Sequence, residues 1–236
     1  LLEAIDLTLD DTLVMAGDLV DKGPASVGVV QHVRGLRDAG HTVVLVQGNH
    51  EDKHTRFRAH EARVAAVGVA NPMKDTSGEL AAITGGLGAE DVVFLESAVL
   101  HHRFAEFLVV HAGIEPRMVE LPTADLSALT GKAKKAALKV LRTRHVNPEG
   151  RMVELGKETD EDVFWAETYD GRFGHVLFGH EPFLAGVVSW KHATALDTGA
   201  VFGGALSAAI HTEGEPLRFA SVASSGSFAK RYKRGE

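Results

Sequence analysis

Four apolar runs, each followed at once by a short polar motif, constrain the fold of this chain more than any other feature. The motifs occupy residues 17–23, 48–51, 111–114 and 179–181, and they combine glycine with acidic, amide and imidazole side chains. The apolar runs before them are typical of buried strands. Because ligand sites in α/β sheets form at the carboxyl ends of the strands, the pattern predicts an α/β fold with a site at that edge.

Strand and helix patterns alternate along the first third of the chain, as in α/β proteins. Strands are predicted at 12–16 and 42–46, and helices at 25–39 and 51–67. A further strand is predicted at 107–110. At 236 residues the chain suits a single domain over residues 1–236, with a cap or insertion at about 115–174, where the alternation breaks.

A helix with a basic face is predicted at 126–141, in the middle of the chain. The final third has a different pattern. Short β-rich runs separated by turn residues then predict a second, largely antiparallel sheet. These runs lie at 187–190, 193–196, 205–211 and 217–222. The basic tail at 230–234 is interpreted as a solvated, poorly ordered terminus.

Composition excludes several functions. The net charge of −7 argues against a nucleic-acid partner, since such binding needs clustered Lys and Arg. The absence of cysteine excludes disulfides and thiolate metal sites. No apolar run reaches the roughly 18 residues of a membrane span, so no membrane partner is expected. With no signal-peptide pattern in this sequence, we expect a cytoplasmic protein.

The polar motifs supply a mixed set of nitrogen and oxygen ligands: Asp18, Asn49, His111 and His180. Such a set suits Mn, Fe, Zn or Ni and suits Ca poorly. Each residue alone has a simpler structural explanation, as a turn cap or a core histidine. Because all four residues occur together, and each follows the end of a predicted strand, a metal site is favoured.

Three further residues lie beside these ligands. His50 is adjacent to Asn49 and can donate a proton to a leaving oxygen, provided that a carboxylate holds its ring. Asp21 is the candidate for that carboxylate, and Lys22 is a candidate phosphate contact. Two metal ions roughly 3.5–4 Å apart activate a shared water and stabilise charge on a transferred phosphoryl group. The residues therefore point to phosphoryl-transfer chemistry.

The four motifs resemble, in order, the GD-x-V-D-R-G, G-N-H-E/D, H-A/G-G and G-H motifs of the calcineurin-like metallophosphoesterases, in their phosphoprotein-phosphatase branch. Lys22 stands where that branch has arginine, which keeps the charge but loses the bidentate fork. Additional segments are similar to bacterial diadenosine tetraphosphatases and related small phosphatases. They lie at 164–171, 178–182 and 196–204.

The resemblance implies a four-layer α/β/β/α sandwich with two divalent metal ions and direct attack by a metal-bound hydroxide. It implies that Asp18 bridges the metals and that Asn49, His111 and His180 ligate the second one. His50, paired with Asp21, is implied as the general acid. Arg144 resembles a second phosphate-binding arginine, although a solvated arginine near a helix end fits that position equally well. Manganese is expected, with Fe, Zn, Ni or Mg as alternatives.

The sequence departs from this family in one respect. No Asp-x-His motif lies upstream of Asp18, whereas the family places one at the end of its first strand. We therefore expect the sequence to be a fragment that lacks that strand, so that activity belongs to the complete protein.

The expected function is that of a metal-dependent phosphoesterase acting on phosphate esters or nucleoside polyphosphates. A Ser/Thr protein phosphatase is an alternative within the same chemistry, so the expected substrate is a phosphorylated small molecule, a nucleotide or a phosphoprotein. A non-catalytic binding module on the same fold is the alternative of another class. The missing Asp-x-His motif favours this last alternative, whereas the retained ligands and His50 oppose it.

Overall fold

The structure is a computed structural model that describes residues 1–230, so most of the basic tail lies outside the described residues. The α-helices, α1 to α6, are Ser26–Asp38, Asn49–Val67, Glu79–Gly86, Ala89–Glu96, Gly131–Ala137 and Trp165–Thr168. Short 3₁₀ helices lie at Glu3–Ile5, Leu126–Ala128 and Leu138–Leu141. The strands, β1 to β11, are Thr12–Met15, Thr42–Leu45, His101–Phe104, Phe107–Val110, His145–Val146, Val163–Phe164, His175–Phe178, Val188–Ser189, Ala193–Ala195, Ala205–Ile210 and Arg218–Ala223.

The main sheet has five strands in the order β3-β4-β7-β9-β8. Its centre is parallel, because β7 pairs in parallel with both β4 and β9, and its two outer strands run antiparallel to their neighbours. A parallel pair, β1 and β2, carries the first two motifs at its carboxyl ends. The strands β10 and β11 form an antiparallel hairpin, and β5 and β6 form a short antiparallel pair within 115–174.

Hydrophobic clusters hold these sheets in layers. The helices α1 and α4 pack on one face of the β1–β2 pair through a cluster that includes Val30, Leu45 and Phe94. The side chains that bridge the β1–β2 pair and the main sheet form a second cluster, made of Val46, Phe107, Val109 and Leu177. On the opposite face of the main sheet, Phe178 packs against Trp165 of α6. The parallel centre of the main sheet is therefore buried, and the carboxyl-terminal edges of both sheets carry the motif loops.

Two local predictions are wrong. The runs at 187–190 and 193–196 do not join an antiparallel second sheet, because β9 adds to the main sheet in parallel with β7. Only β10 and β11 form the predicted antiparallel unit. The predicted helix at 126–141 is interrupted at residues 129–130, because Thr130 is extended with φ −134° and ψ 164° and Gly131, where α5 begins, has a left-handed φ of +54°.

The helix α4 was not predicted, because it is only eight residues long and follows a run of glycines. Among residues 1–230, no helix combines the length and the apolar character needed to cross a membrane. The assignment of 115–174 as a cap stays a prediction.

Candidate metal centre and proton-donor site

Two glycines bring the first two motif loops into contact. Gly17 follows β1 with a φ of +90°, and Gly48 immediately precedes α2. A Cβ atom on Gly17 would lie 2.6 Å from the backbone nitrogen of Gly48 and 2.8 Å from Nδ1 of His111. Side chains with a Cβ are therefore excluded at Gly17, and the loops that carry Asp18 and Asn49 can approach closely.

Glu51 ties the same two loops together. Its carboxylate accepts hydrogen bonds from the backbone amides of Asp18 at 2.9 Å, Leu19 at 2.6 Å and Gly48 at 2.8 Å. The side chain is fully buried, and burial together with the neighbouring Asp18 carboxylate raises the pKa of Glu51. The bond to Gly48 also satisfies one of the free amides at the start of α2, as in a capping box. Glu51 is thus a structural part of the site that the sequence interpretation missed.

Four side chains from four loops converge on one point. The Nε2 atom of His111 lies 3.1 Å from Oδ1 of Asn49, 3.1 Å from Nδ1 of His180 and 3.3 Å from Oδ1 of Asp18. The ligand atoms of Asp18, His111 and His180 all lie within 4.8 Å of one another. The structure therefore brings together all four of the predicted metal ligands.

The orientation of His111 shows why a cation fits between these atoms. Its Nδ1–H donates to the carbonyl oxygen of Ala16 at 2.7 Å, so in the neutral ring Nε2 carries a lone pair. That lone pair then faces three other potential acceptors, on Asp18, Asn49 and His180. With the His111 ring in this form, a cation between the facing lone pairs would stabilise the cluster, and a backbone carbonyl that fixes the ring tautomer is a common feature around metal-binding histidines.

The electrostatics of the cluster favour an anionic Asp18 and a neutral His180. Burial opposes ionisation of Asp18, but His111 outweighs it and holds the pKa of that carboxyl well below its usual range. Burial likewise opposes a charged His111, yet Asp18 raises the pKa of the imidazole. Burial, His111 and Arg144 keep the pKa of His180 well below its usual value. Anionic carboxylate and neutral imidazole are the forms that ligate metals.

Beside this cluster, Asp21 receives three side-chain donors. Oδ2 of Asp21 accepts from Nδ1 of His50 at 2.6 Å and from Nζ of Lys53 at 2.8 Å, and Oδ1 accepts from Nε2 of His54 at 2.7 Å. Burial opposes the anion, but these bonds outweigh it and hold the pKa of Asp21 far below its usual range. The other ring nitrogen of His50 lies 3.9 Å from Oδ2 of Asp18. The predicted His50–Asp21 pair therefore exists, and it lies next to the metal-ligand cluster.

The same loops contain several residues with a left-handed backbone conformation. Six residues other than glycine have a positive φ within residues 1–230, and four of them lie in the motifs. Those four are Asp18, Asp21, Lys22 and His180. Such conformations are held at a cost of about 1–3 kcal/mol each, and they cluster at functional sites.

Comparison with known protein families matches residues 2–183 to the calcineurin-like phosphoesterases. That range is well over half of the 236-residue chain. The chain belongs to the calcineurin-like phosphoesterase family. The predicted family and hydrolase class are thereby confirmed, and the family uses divalent metal ions.

Two curated relatives of this calcineurin-like phosphoesterase are named for an enzymatic activity. The asymmetrical bis(5'-nucleosyl)-tetraphosphatase PrpE of Bacillus velezensis is 30% identical over 205 residues, which cover 84% of this chain and 73% of the relative. The symmetrical bis(5'-nucleosyl)-tetraphosphatase of Burkholderia thailandensis is 32% identical, with 84% of this chain and 79% of the relative covered.

A crystal structure described as that of a candidate diadenosine tetraphosphatase has a similar fold. It superimposes with a TM-score of 0.67 at 24% sequence identity, and the match covers 94% of this chain and 85% of that one. The predicted α/β fold class is confirmed by this similarity.

The two predicted substrate contacts of this phosphoesterase differ in their placement. Nε of Arg144 donates to a carboxylate oxygen of Glu181 at 2.7 Å, which places the guanidinium next to His180. Nζ of Lys22 lies 5.5 Å from the ring centroid of Phe202, in a cation–π arrangement. Both cations lie in or next to the motif loops, but each already has a partner within the chain.

Four residues of this region were not predicted: Glu51, Lys53, His54 and Asp197. Burial and the Asp18 carboxylate raise the pKa of Asp197, whose Oδ1 accepts the backbone amide of Gly199 at 2.9 Å. The signal for Glu51 was its spacing of three residues from Gly48, which makes it the third residue of α2 and matches a capping box. For His54, the only signal was its spacing of four residues from His50, which places both rings on one face of α2.

Proposed function

We propose that this calcineurin-like phosphoesterase hydrolyses nucleoside polyphosphates in a manganese-dependent reaction. The observation that carries the proposal is the convergence of Asp18, Asn49, His111 and His180 beside the His50–Asp21 pair. The names of the two tetraphosphatase relatives support a nucleotide substrate.

We propose that the four converging side chains would hold one divalent ion and that Asp18 would also help to hold a second. The ligand set of carboxylate, amide and imidazole is compatible with Mn²⁺, our preferred metal, and with Fe, Zn, Ni or Mg as alternatives. When bound, such ions activate a water as nucleophile and stabilise charge on the phosphoryl group.

His50 is proposed as the proton donor to the leaving oxygen. Its Nδ1–H is held by Oδ2 of Asp21 at 2.6 Å, so Nε2 is the nitrogen that can carry the transferable proton. Nε2 also lies on the side of the ring that faces Asp18. This orientation places the donor beside the metal-ligand cluster, where the scissile phosphate is expected to bind.

Lys22 and Arg144 are proposed as contacts to the remaining phosphates of the substrate. Arg144 comes from the segment 115–174, which is tied to the His111 loop because the carbonyl oxygen of Val140 accepts the amide of Ala112 at 3.0 Å. We propose on this basis that the segment forms one wall of the substrate site. Arginine offers a bidentate contact to phosphate, whereas lysine contributes mainly a point charge.

A substrate panel with Mn²⁺ tests the proposal: diadenosine tetraphosphate, a phosphopeptide and p-nitrophenyl phosphate at equal enzyme concentration. We expect the highest kcat/KM for the dinucleotide, and equal or higher values for the phosphopeptide would refute the nucleotide preference. Asp18→Asn should abolish activity, while the exposed Asp10→Asn should retain it. Chromatography of the nucleotide products distinguishes cleavage into equal halves from cleavage into unequal ones.

A further inference from the structure

A second histidine binds the same carboxylate as His50. Nε2 of His54 lies 2.7 Å from Oδ1 of Asp21, while Nδ1 of His50 lies 2.6 Å from Oδ2. His54 is only 1% exposed, so no solvent competes for this contact. The carboxylate of Asp21 is therefore held at both of its oxygens by imidazoles from one helix.

The other nitrogen of His54 is also engaged. Nδ1 lies 2.8 Å from Oγ1 of Thr84, which belongs to α3. Since the Asp21 carboxylate can only accept a hydrogen bond here, Nε2 of His54 carries the ring proton, and Nδ1 accepts a hydrogen bond from the Thr84 hydroxyl. The His54 ring is thus fixed between α3 and the loop that follows β1.

The conformation of Asp21 explains why its carboxylate needs such support. Its φ of +70° lies in the left-handed region, which is unfavourable for a residue other than glycine. Besides these side-chain contacts, the backbone of Asp21 makes two hydrogen bonds: its amide donates to Oγ of Ser26 at 3.0 Å, and its carbonyl oxygen accepts the amide of Gly23 at 2.6 Å. A bond at Oδ1 restricts rotation of the carboxylate and keeps Oδ2 directed at His50.

We propose that His54 is a positioning residue for proton transfer, which acts by holding Oδ1 of Asp21 so that Oδ2 orients the ring of His50. This inference rests on the proposed function, in which His50 gives its proton to the leaving oxygen. His54 touches neither the metal ligands nor the substrate in this assignment, so its removal should affect proton transfer rather than substrate binding.

The kinetic test compares two substrates that share a phosphoryl group, p-nitrophenyl phosphate and phenyl phosphate, using the metal-loaded protein. Phenolate is the poorer leaving group and depends more on a proton donor. His54→Leu should lower kcat for phenyl phosphate by up to roughly 100-fold, the scale on which misplacing a reacting group by about 1 Å acts, with KM nearly unchanged. The loss for p-nitrophenyl phosphate should be several-fold smaller.

Matched variants separate positioning from folding. His54→Gln should recover most of the lost rate, because its side-chain amide can still donate to Asp21. Thr84→Val should cause a smaller loss with the same dependence on the leaving group. The exposed His32→Leu should behave as wild type. Equal losses on both substrates in His54→Leu, or no recovery in His54→Gln, would overturn the proposal.

Proton NMR of the ring N–H of His50 gives a readout that does not depend on activity. The short bond to Asp21 should produce a downfield Nδ1–H signal in wild type and in His54→Gln, and this signal should shift or broaden in His54→Leu. An unchanged signal in His54→Leu contradicts the proposal. If wild type hydrolyses neither substrate, the proposed function fails, while this signal still decides the role of His54. If His54→Leu does not fold, the signal and kinetics of Thr84→Val decide it.

Discussion

Two groups of polar side chains lie on either side of Asp18, and they differ in how their polar atoms are satisfied. Around Nε2 of His111, the atoms that meet are all potential acceptors, from Asp18, Asn49 and His180. Around Asp21, a carboxylate instead meets donors. The first group, here called the acceptor cluster, is the one that we propose binds a cation from outside the chain.

In the second group, the donor cluster of Asp21, His50, Lys53 and His54, the chain itself supplies the donors to the carboxylate of Asp21. This difference indicates that the proposed metal binding and proton transfer depend on separate sets of contacts, although Asn49 and His50 are neighbours in sequence. Variants in one cluster should therefore leave the function of the other nearly intact, and the predictions below test that separation.

The largest effect is expected in the acceptor cluster. His180→Asn should lower kcat/KM at fixed Mn²⁺ by more than roughly 100-fold, since even outer partners of metal ligands affect activity by about 10–100-fold. Raising the Mn²⁺ concentration should restore part of the rate, because the defect lies in metal binding. The exposed His32→Asn is the control. If the loss of kcat/KM were the same at every Mn²⁺ concentration, the assignment of His180 as a metal ligand would be refuted.

A somewhat smaller effect is expected in the donor cluster. Asp21→Asn should lower kcat by roughly 100-fold, at the lower end of what general acid catalysis contributes, because the amide no longer holds His50 in its orientation. The Mn²⁺ concentration that gives half-maximal activity should not change. If it rises as in His180→Asn, the two clusters are not separable.

Glu51 supports both clusters, so its variant should change stability more than any one function. Glu51→Gln replaces one of the two acceptor oxygens by an NH2 donor, so at least one of the three buried backbone amides loses its acceptor, which should lower the free energy of unfolding by about 1–3 kcal/mol. Urea denaturation of the metal-free protein measures this change. The exposed Glu213→Gln is the matched control and should show no change in the unfolding midpoint. Wild-type stability in Glu51→Gln would show that the two loops do not depend on this carboxylate.

The smallest effect is a dependence of stability on acid pH. The folded pKa of Asp21 lies below its ordinary value of 3.8, so the unfolded chain takes up this proton first as the pH falls. The stabilisation by Asp21 is therefore present above about pH 4 and is lost as the pH falls through the folded pKa. The difference in unfolding free energy between wild type and Asp21→Asn should shrink from pH 5 to pH 2. A difference that grows over this range contradicts the donor cluster.

Much of the acceptor cluster follows from the sequence, because its residues stand directly after strands. A strand fixes where the following loop leaves the sheet, so His111, immediately after β4, and Asp18, three residues after β1, can be placed from apolar patterns. The helix α2 begins at Asn49, two residues earlier than its pattern predicts, and its first turn thus contains both Asn49 and His50.

The donor cluster was harder to predict because it depends on contacts between helices. His54 contacts Thr84 because α2 packs against α3, and no local sequence pattern indicates that contact. The placement of strand β9 in the sheet could not be predicted from the sequence for a similar reason. Its short apolar run fits either an antiparallel hairpin or a parallel addition to the main sheet, and only the pairing with β7 decides between them.

The most direct test is a calorimetric titration of the metal-free protein with Mn²⁺, performed on wild type, His111→Gln and Asp21→Asn. The account predicts saturable binding to wild type, nearly equal affinity in Asp21→Asn, and an affinity at least about 10-fold weaker in His111→Gln. Wild-type affinity in His111→Gln, or no Mn²⁺ binding to wild type, would contradict the claim that the acceptor cluster is a metal site.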